Sequence, residues 1–505
     1  MNTENKTIRT RFAPSPTGLV HIGSVRTALF NFLYARHFNG VNVLRVEDTD
    51  QTRLVDGAVE NMLSSMKALG IEFDEGPTLA EAGKLEEKGE FGPYTQSARL
   101  DIYKQYIQQL LDSKNAYYCF CSSERLDELR KEQIALKQPA MYDRHCRNLN
   151  EQELANKQEQ FKMAGKNPVV RFAIPLEGET TVNDLVFGEM KYQNALLDDQ
   201  VLIKSDGFPT YHFAVVVDDH LMQITHVIRG EEWIPSTPKH ILIYKAFGWE
   251  PTQFAHMPLI LNPDKSKLSK RQGDVAAEDF LKKGYLPEAL INFVAFLGWN
   301  PKTEQEIFSM EELVENFDLS KVNKSGAVLD ITKLEWMNGE YIRAKSNAEL
   351  VAVCIAYWQE AGIDVSNAKP EYLEAIISLE KDRLKKLSEI SERTAYFFAE
   401  PEYDGSQLVW KKSDAETTKL NLHLLIDLFR ITDDVDMQSV EKLEEIVKNF
   451  IAKHELDTGS VLWPLRVAMT GQEKSPSPFE VTATLFKGLG REEIVTRLEK
   501  GISLL

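Results

Sequence analysis

Four cysteines in 505 residues are too few for a disulfide framework, and Cys119 and Cys121 stand a single residue apart. That scarcity points to a reducing compartment, so the expected location is cytoplasmic. No run of about 18 apolar residues occurs, which excludes a bilayer-spanning helix. The opening Met1-Asn2-Thr3-Glu4-Asn5-Lys6 lacks the apolar segment of a secretory signal, so the protein is expected to stay where it is made. Also absent are G-x-x-x-x-G-K-[ST], G-x-G-x-x-G after the first strand, H-E-x-x-H and G-x-S-x-G. The common NTPase, dehydrogenase, metalloprotease and hydrolase readings therefore have no motif to rest on. Basic residues are in the minority: 59 Lys and Arg against 77 Asp and Glu give a net charge of −18. This argues against indiscriminate nucleic-acid binding but leaves room for a local basic face.

What is present is a globular composition, 43% hydrophobic and 27% charged, in a chain long enough for about three domains of roughly 150 residues. Thr7 to Phe12 reads as a strand and Pro14 to Gly18 as a turn that can continue neither strand nor helix. Val25, Ala28, Leu29, Phe32 and Leu33 then recur at helical spacing, with Gly40 where a C-terminal cap is expected and a second strand over Val41 to Val46. This is a βαβ opening, and it predicts a ligand site beside Ala13 to Ser24. Thr78 to Pro93 reads as a solvated loop, and its stretch from Glu81 to Phe91 suggests no function. The tract from 119 to 195 reads as an inserted α+β module. The apolar runs Val201 to Lys204, Phe213 to Val217 and Ile224 to Ile228 read as strands of a sheet resumed after it. Beyond about residue 275 the pattern is helical to the end.

Two segments carry chemistry. Pro14 to Ser24 puts His21 and Gly23 at the mouth of a helix, where N-terminal amides and the helix dipole favour phosphate. Lys265 to Asp274 places four cations, Lys265, Lys267, Lys270 and Arg271, within seven residues, suited to a polyphosphate leaving group. A solitary histidine is more often structural, and a short basic run is more often a solvated face. Both on one βαβ scaffold favour nucleotide chemistry.

His21-Ile22-Gly23-Ser24 resembles the HIGH signature, and Lys267-Leu268-Ser269-Lys270-Arg271 the KMSKS signature, of class I aminoacyl-tRNA synthetases. Arg11 to Gly18, Arg45 to Asp50, Pro209 to His212, Val227 to Trp233, Trp336 to Gly339 and Pro464 to Arg466 extend the likeness to bacterial glutamyl-tRNA synthetases over nearly the full length. The resemblance implies an α/β Rossmann-like catalytic domain with an inserted α+β acceptor-binding module, followed by an all-α anticodon-binding domain. The expected boundaries are 1–115 and 196–262 for the catalytic domain, 116–195 for the insertion, 263–345 for the signature loop and stem-contact region, and 346–505 for the helical domain. It further implies ATP-dependent activation of L-glutamate and transfer to tRNA(Glu), with ATP and Mg²⁺ and a monomeric chain.

Glutamate needs a cation fork and an anion to hold it. By resemblance Arg11 and Tyr211 face its side-chain carboxylate, Arg229 its α-carboxylate, and Glu47, Ser15 and the Ala13 carbonyl its ammonium. His21, Gly23, Lys267, Ser269 and Lys270 would be catalytic. His21, Gly23, Ser24, Glu232 and Lys270 would bind ATP, and Arg383 would contact tRNA. Val215, where some relatives carry asparagine, predicts one polar contact fewer. Cys119, Cys121 and Cys146 match a zinc knuckle of some relatives, but Asn148 replaces the expected final histidine and only His145 is nearby, so no metal is expected. The competing readings are a glutaminyl enzyme, a relaxed glutamyl enzyme that also charges tRNA(Gln), and an inactive tRNA-binding paralogue. The helical C-terminal half disfavours the first, and the intact motifs disfavour the last.

Overall fold

The computed structural model describes residues 7–80, 83–268 and 276–505. It divides into two compact units, Met1–Phe280 with Leu290–Ile331, and Leu281–Ala289 with Thr332–Leu505.

The first unit opens with β1 (Arg9–Phe12), α1 (Ile22–His37) and β2 (Val41–Leu44). β1 and β2 run parallel, from Arg9 opposite Val41 to Phe12 opposite Leu44. Val25, Ala28, Leu29, Phe32 and Leu33 are all buried, as their spacing predicts, and Phe30 and Ala35 widen that stripe. The expected cap is displaced by one residue. Asn39, at φ 51°, takes the left-handed position that ends the helix. Gly40 instead closes the turn that follows. Its N–H donates to the Ala35 carbonyl at 2.7 Å, and an added Cβ would run into the Ile8 carbonyl oxygen. The tight return from helix to strand needs a residue without a side chain.

A hairpin of β3 (Gly76–Leu79) and β4 (Leu85–Lys88) replaces the loop expected from the sequence. β4 is exposed throughout, so no apolar alternation marks it. Next come β5 (Ala116–Cys119), β6 (Val169–Phe172), β7 (Glu179–Asp184), β8 (Gly188–Gln193), β9 (Val201–Ile203), β10 (His226–Gly230) and β11 (Gln253–Met257). The main sheet has the order β2-β1-β10-β11-β7-β8, parallel except for the final hairpin. β5, β6 and β9 form a separate antiparallel sheet.

Three sequence readings change accordingly. The hairpin β7–β8, read as part of the insertion, completes the main sheet, because Val182 packs with Val227, Ile241 and Phe254. β9, read as main sheet, belongs to the small one. Phe213 to Val217, read as a strand, lies in the helix Tyr211–Leu221. All five of those residues are buried, so the run reflects burial on every side, which periodicity cannot assign to strand or helix.

Among its described residues the second unit is helical throughout. Its core includes Trp358, Phe397, Phe429, Leu465 and Leu485. Arg497, buried within it, donates to the carbonyls of Met469 at 2.7 Å and Tyr396 at 2.8 Å, so it ties three segments together. None of the helices is long and apolar enough to cross a membrane among the described residues.

Gly40→Ala is expected to destabilise the first unit by about 1–3 kcal/mol, the usual range for forced overpacking. A lowered urea midpoint with unchanged slope is the expected result.

Candidate active site

A cavity of about 980 Å³ lies where β1, β10 and β11 end, the position at which parallel sheets receive ligands. It gathers Arg11, Ala13, Ser15, His21, Gly23, Ser24, Glu47, Tyr211, Arg229, Glu232 and Lys267, brought from five stretches of chain. Ser269 and Lys270 lie outside the described residues. The described lining includes the cations Arg11, Arg26, Arg53, Lys204, Arg229 and Lys267, against the carboxylates Glu47, Asp50 and Glu232. The acidic chain therefore carries a locally cationic cleft, suited to a polyanion.

At the start of α1 the His21 ring caps its own helix, because Nδ1 accepts from the Gly23 N–H at 3.0 Å. An accepting Nδ1 leaves the proton of the neutral ring on Nε2. The helix mouth thus presents the imidazole, as the sequence suggested, while the Gly23 amide is taken up by the ring. A Cβ on Gly23 would stand 3.2 Å from His21 Nδ1, so the ring would have to shift slightly to admit one. On Gly230, at the end of β10, a Cβ would collide with the Glu232 carboxylate.

The floor of the cavity is ionic. Arg11 donates through Nε to Asp219 Oδ1 at 3.2 Å, and Arg45 reaches the same oxygen at 2.7 Å and Glu47 Oε1 at 3.1 Å. Asp218 receives Arg99 Nε at 2.7 Å, Gln96 at 2.9 Å and the Tyr103 hydroxyl at 2.9 Å. Arg45 is fully buried; burial opposes its charge, but Asp219, Glu47 and Asp218 hold it ionised. Burial raises the Glu47 carboxyl to about 7, against the opposing pull of Arg45 and Arg11. Arg11 is engaged through Nε alone in the described structure, leaving its terminal nitrogens toward the cavity.

Arg229 is held quite differently. Nε donates to His256 Nε2 at 3.1 Å, and Nη1 to the Tyr211 hydroxyl at 3.0 Å, with His240 Nδ1 at 3.4 Å. Nη2 donates to Thr237 Oγ1 at 2.9 Å and the Trp233 carbonyl at 3.4 Å. Tyr211 stacks obliquely on Trp233, ring centroids 4.2 Å apart. Val215 points into the apolar core beneath and does not line the cavity. Sequence reasoning missed Asp184, Asp218, Asp219, His240 and His256. Only the two aspartates within the Tyr211 helix carried a signal, as adjacent charges after an apolar run.

Residues 7–336 match the family described as tRNA synthetases class I (E and Q), catalytic domain, and residues 349–502 the family described as anticodon binding domain. The glutamate–tRNA ligase of Clostridioides difficile is 46% identical over 502 residues, covering 97% of this chain and 98% of the relative. That of Dehalococcoides mccartyi is 43% identical over 501 residues, covering 99% and 98%. The crystal structure of a glutamate tRNA ligase from Elizabethkingia meningosepticum in complex with its amino acid superposes with a TM-score of 0.87 at 36% identity, covering 99% of this chain and 100% of that one. The chain belongs to the glutamyl-tRNA synthetase family.

Two further features of this synthetase are not part of the cavity lining. Arg383 sits in the helical unit, where it donates to buried Glu380 at 3.1 Å and remains partly exposed; Arg393 pairs with the same carboxylate at 3.4 Å. The second is the thiol cluster. The sulfurs of Cys119, Cys121 and Cys146 all lie within 4.8 Å of one another. The Tyr142 hydroxyl stands 3.3 Å from Cys119 Sγ and 3.4 Å from Cys121 Sγ. The oxygen beside the sulfurs thus comes from upstream of Cys146, and it also accepts the Cys146 N–H at 3.0 Å. Arg171 lies over the Tyr142 ring at 3.9 Å and Arg125 lies 3.5 Å from Cys121 Sγ, which would offset the negative charge of thiolates. A zinc ion here would be held by Cys119, Cys121 and Cys146, with the Tyr142 hydroxyl as the oxygen beside them. On this geometry elemental analysis of the purified protein is expected to find about one zinc per chain, lost in Cys121→Ser. A metal-free native protein would bear out the expectation read from Asn148.

Proposed function

We propose that this chain activates L-glutamate with ATP, giving glutamyl-adenylate and pyrophosphate, and then passes the glutamyl group to the 3′-terminal adenosine of tRNA(Glu). The observation that carries the reading is one cavity in which the open Arg11 fork, the buried Glu47 carboxylate and the His21 donor at a helix mouth meet. Family membership supplies the reaction type. Arg11 pairs with the side-chain carboxylate of glutamate, joined by the Tyr211 hydroxyl. Glu47, with Ser15 and the Ala13 carbonyl, takes the ammonium. Arg229 serves the α-carboxylate, and its two longest contacts, at 3.4 Å to His240 and Trp233, are those a carboxylate oxygen would replace.

In activation a glutamate α-carboxylate oxygen attacks the α-phosphorus, and the bond to pyrophosphate breaks. No protein nucleophile is needed. The work of the protein is to align the reactants and to meet charge as it develops on phosphate oxygens. His21 Nε2–H supplies a donor and the dipole at the start of α1 favours the phosphate, with Gly23 and Ser24 letting the backbone approach while their N–H groups bond back to His21. Glu232 contacts the nucleotide, and Lys267, Ser269 and Lys270 receive the departing pyrophosphate. Mg²⁺ accompanying ATP offsets the charge of the phosphates. Arg383 contributes to tRNA contact from the helical unit. The chain is expected to work as a monomer in the cytoplasm.

Charging purified tRNA(Glu) and tRNA(Gln) separately, with labelled glutamate and then glutamine, tests the reading. Glutamate on tRNA(Glu) is expected, and no charging of either tRNA despite tRNA binding would leave an RNA-binding protein. His21→Ala is expected to slow adenylate formation by roughly 10²–10³-fold with little loss of tRNA affinity. An unchanged rate would remove His21 from the chemistry.

The Glu47 carboxyl generates a pH test. It must be ionised to hold an ammonium, and the ammonium in turn lowers its pKa, so affinity is complete above the free-enzyme value of about 7 and falls as pH drops through it. KM for glutamate is expected to rise several-fold between about pH 8 and about pH 6. Glu47→Gln should raise KM and flatten that dependence.

A further inference from the structure

His256 lies on β11 and is fully buried. Its two ring nitrogens are committed to opposite roles. Nε2 receives the Arg229 Nε–H at 3.1 Å, and since Nε of a guanidinium can only donate, Nε2 must be an unprotonated acceptor. The ring proton therefore sits on Nδ1, where it is donated to Asp184 Oδ2 at 2.6 Å. Asp184, at the end of β7, is held in turn: its Oδ1 accepts the backbone N–H of Phe187 at 2.8 Å and of Val186 at 2.9 Å. Burial first, then the Arg229 and Arg11 charges, disfavour protonation of His256, while Asp184 favours it; the balance keeps the ring neutral. Protonation would place an imidazolium against the Arg229 guanidinium. On the other side of Arg229, His240 Nδ1 faces Nη1 at 3.4 Å, and its Nε2 lies 3.0 Å from His212 Nδ1.

We propose that Asp184 is a positioning residue for glutamate: it fixes the His256 tautomer that accepts from Arg229, and so aims Arg229, and Tyr211 through it, at the amino acid. This rests on the assignment of Arg229 and Tyr211 to glutamate binding. Asp184 has a side-chain exposure of 0%, so it acts only through this chain of contacts. The relay runs Asp184, His256, Arg229, Tyr211, and each link is a hydrogen bond of 3.1 Å or less. It joins β7, β11, β10 and the Tyr211 helix. Its logic is that of a carboxylate fixing an imidazole tautomer for a third group.

Asp184→Asn is the decisive variant because it preserves shape. The amide oxygen must face the Val186 and Phe187 N–H groups, since the amide nitrogen cannot accept from them. The NH₂ group is then left toward His256 Nδ1. That nitrogen becomes the acceptor, the ring proton moves to Nε2, and it meets the Arg229 Nε–H donor to donor. In glutamate-dependent ATP–pyrophosphate exchange with tRNA present, KM for glutamate is expected to rise at least tenfold. KM for ATP should stay within about twofold and kcat within about threefold. His256→Gln, which can restore a neutral acceptor oxygen, should keep KM for glutamate within about threefold. His256→Met, similar in volume but without that acceptor, should match Asp184→Asn. The inference fails if Asp184→Asn leaves KM for glutamate near native, if it raises KM for ATP equally, or if the Gln and Met variants behave alike. Arg229→Ala separates the two levels. A native KM for glutamate in that variant overturns the glutamate assignment itself, whereas a raised KM there with a native one in Asp184→Asn overturns only the relay.

Discussion

The active-site architecture hangs on one buried ionic cluster, in which three guanidiniums, Arg11, Arg45 and Arg99, face three carboxylates, Glu47, Asp218 and Asp219. Burying any one of these charges alone would cost several kcal/mol, so the cluster is stable only as a set. It joins β1, the segment after β2, the helix entered at Arg99 and the helix Tyr211–Leu221. Arg45 is its centre. It has no solvent exposure and bonds carboxylates from two different elements, which leaves the neighbouring Arg11 and Glu47 as the members that border the cavity. The high pKa of Glu47 is the local expression of that strain. An anion is kept in a buried place because a cation is meant to arrive.

Much of the fold and site was legible because it is local. The turn at Pro14 to Gly18, the stripe on α1 and the positions of His21, Arg11 and Glu47 all lie within the first fifty residues, where chain order and spatial order coincide. What was hidden depends on distance along the chain. Whether β7 and β9 belong to one sheet or another is decided by partners about 70 and 30 residues away, Phe254 and Val170, and spacing carries no such information. Phe213 to Val217 misled for a related reason, since a helix enclosed on every side loses the polar face that betrays its period. The relay behind Arg229 was equally hidden. Asp184 and His256 are 72 positions apart in the chain, on two different strands, and only the sheet places them in contact.

Tyr142 fills a place that the motif pattern does not name. Motif reasoning looked for nitrogen two residues after Cys146, because a familiar pattern ends there. The chain instead turns so that a phenol four residues before Cys146 lies against two of the thiols. A donor set is a property of space, and a substitution in a motif excludes a ligand only if no other side chain can occupy that corner.

Arg11 and Tyr211 also explain how glutamate can be told from glutamine on the proposed assignment. Net charge is a weak discriminator here, because the ionic floor is already balanced and the imidazoles flanking Arg229 are neutral. Direction of donation is a stronger one. Arg11 shows N–H groups and can accept nothing. Tyr211, having accepted from Arg229, still has its own proton to give. A carboxylate satisfies both with either oxygen. A carboxamide can satisfy one and must turn its NH₂ toward the other, leaving buried donors opposed at a cost of about 1–3 kcal/mol for each unmet group. Specificity on this view comes from fixing which atoms can donate, and that is why so much buried hydrogen bonding stands behind so small a ligand.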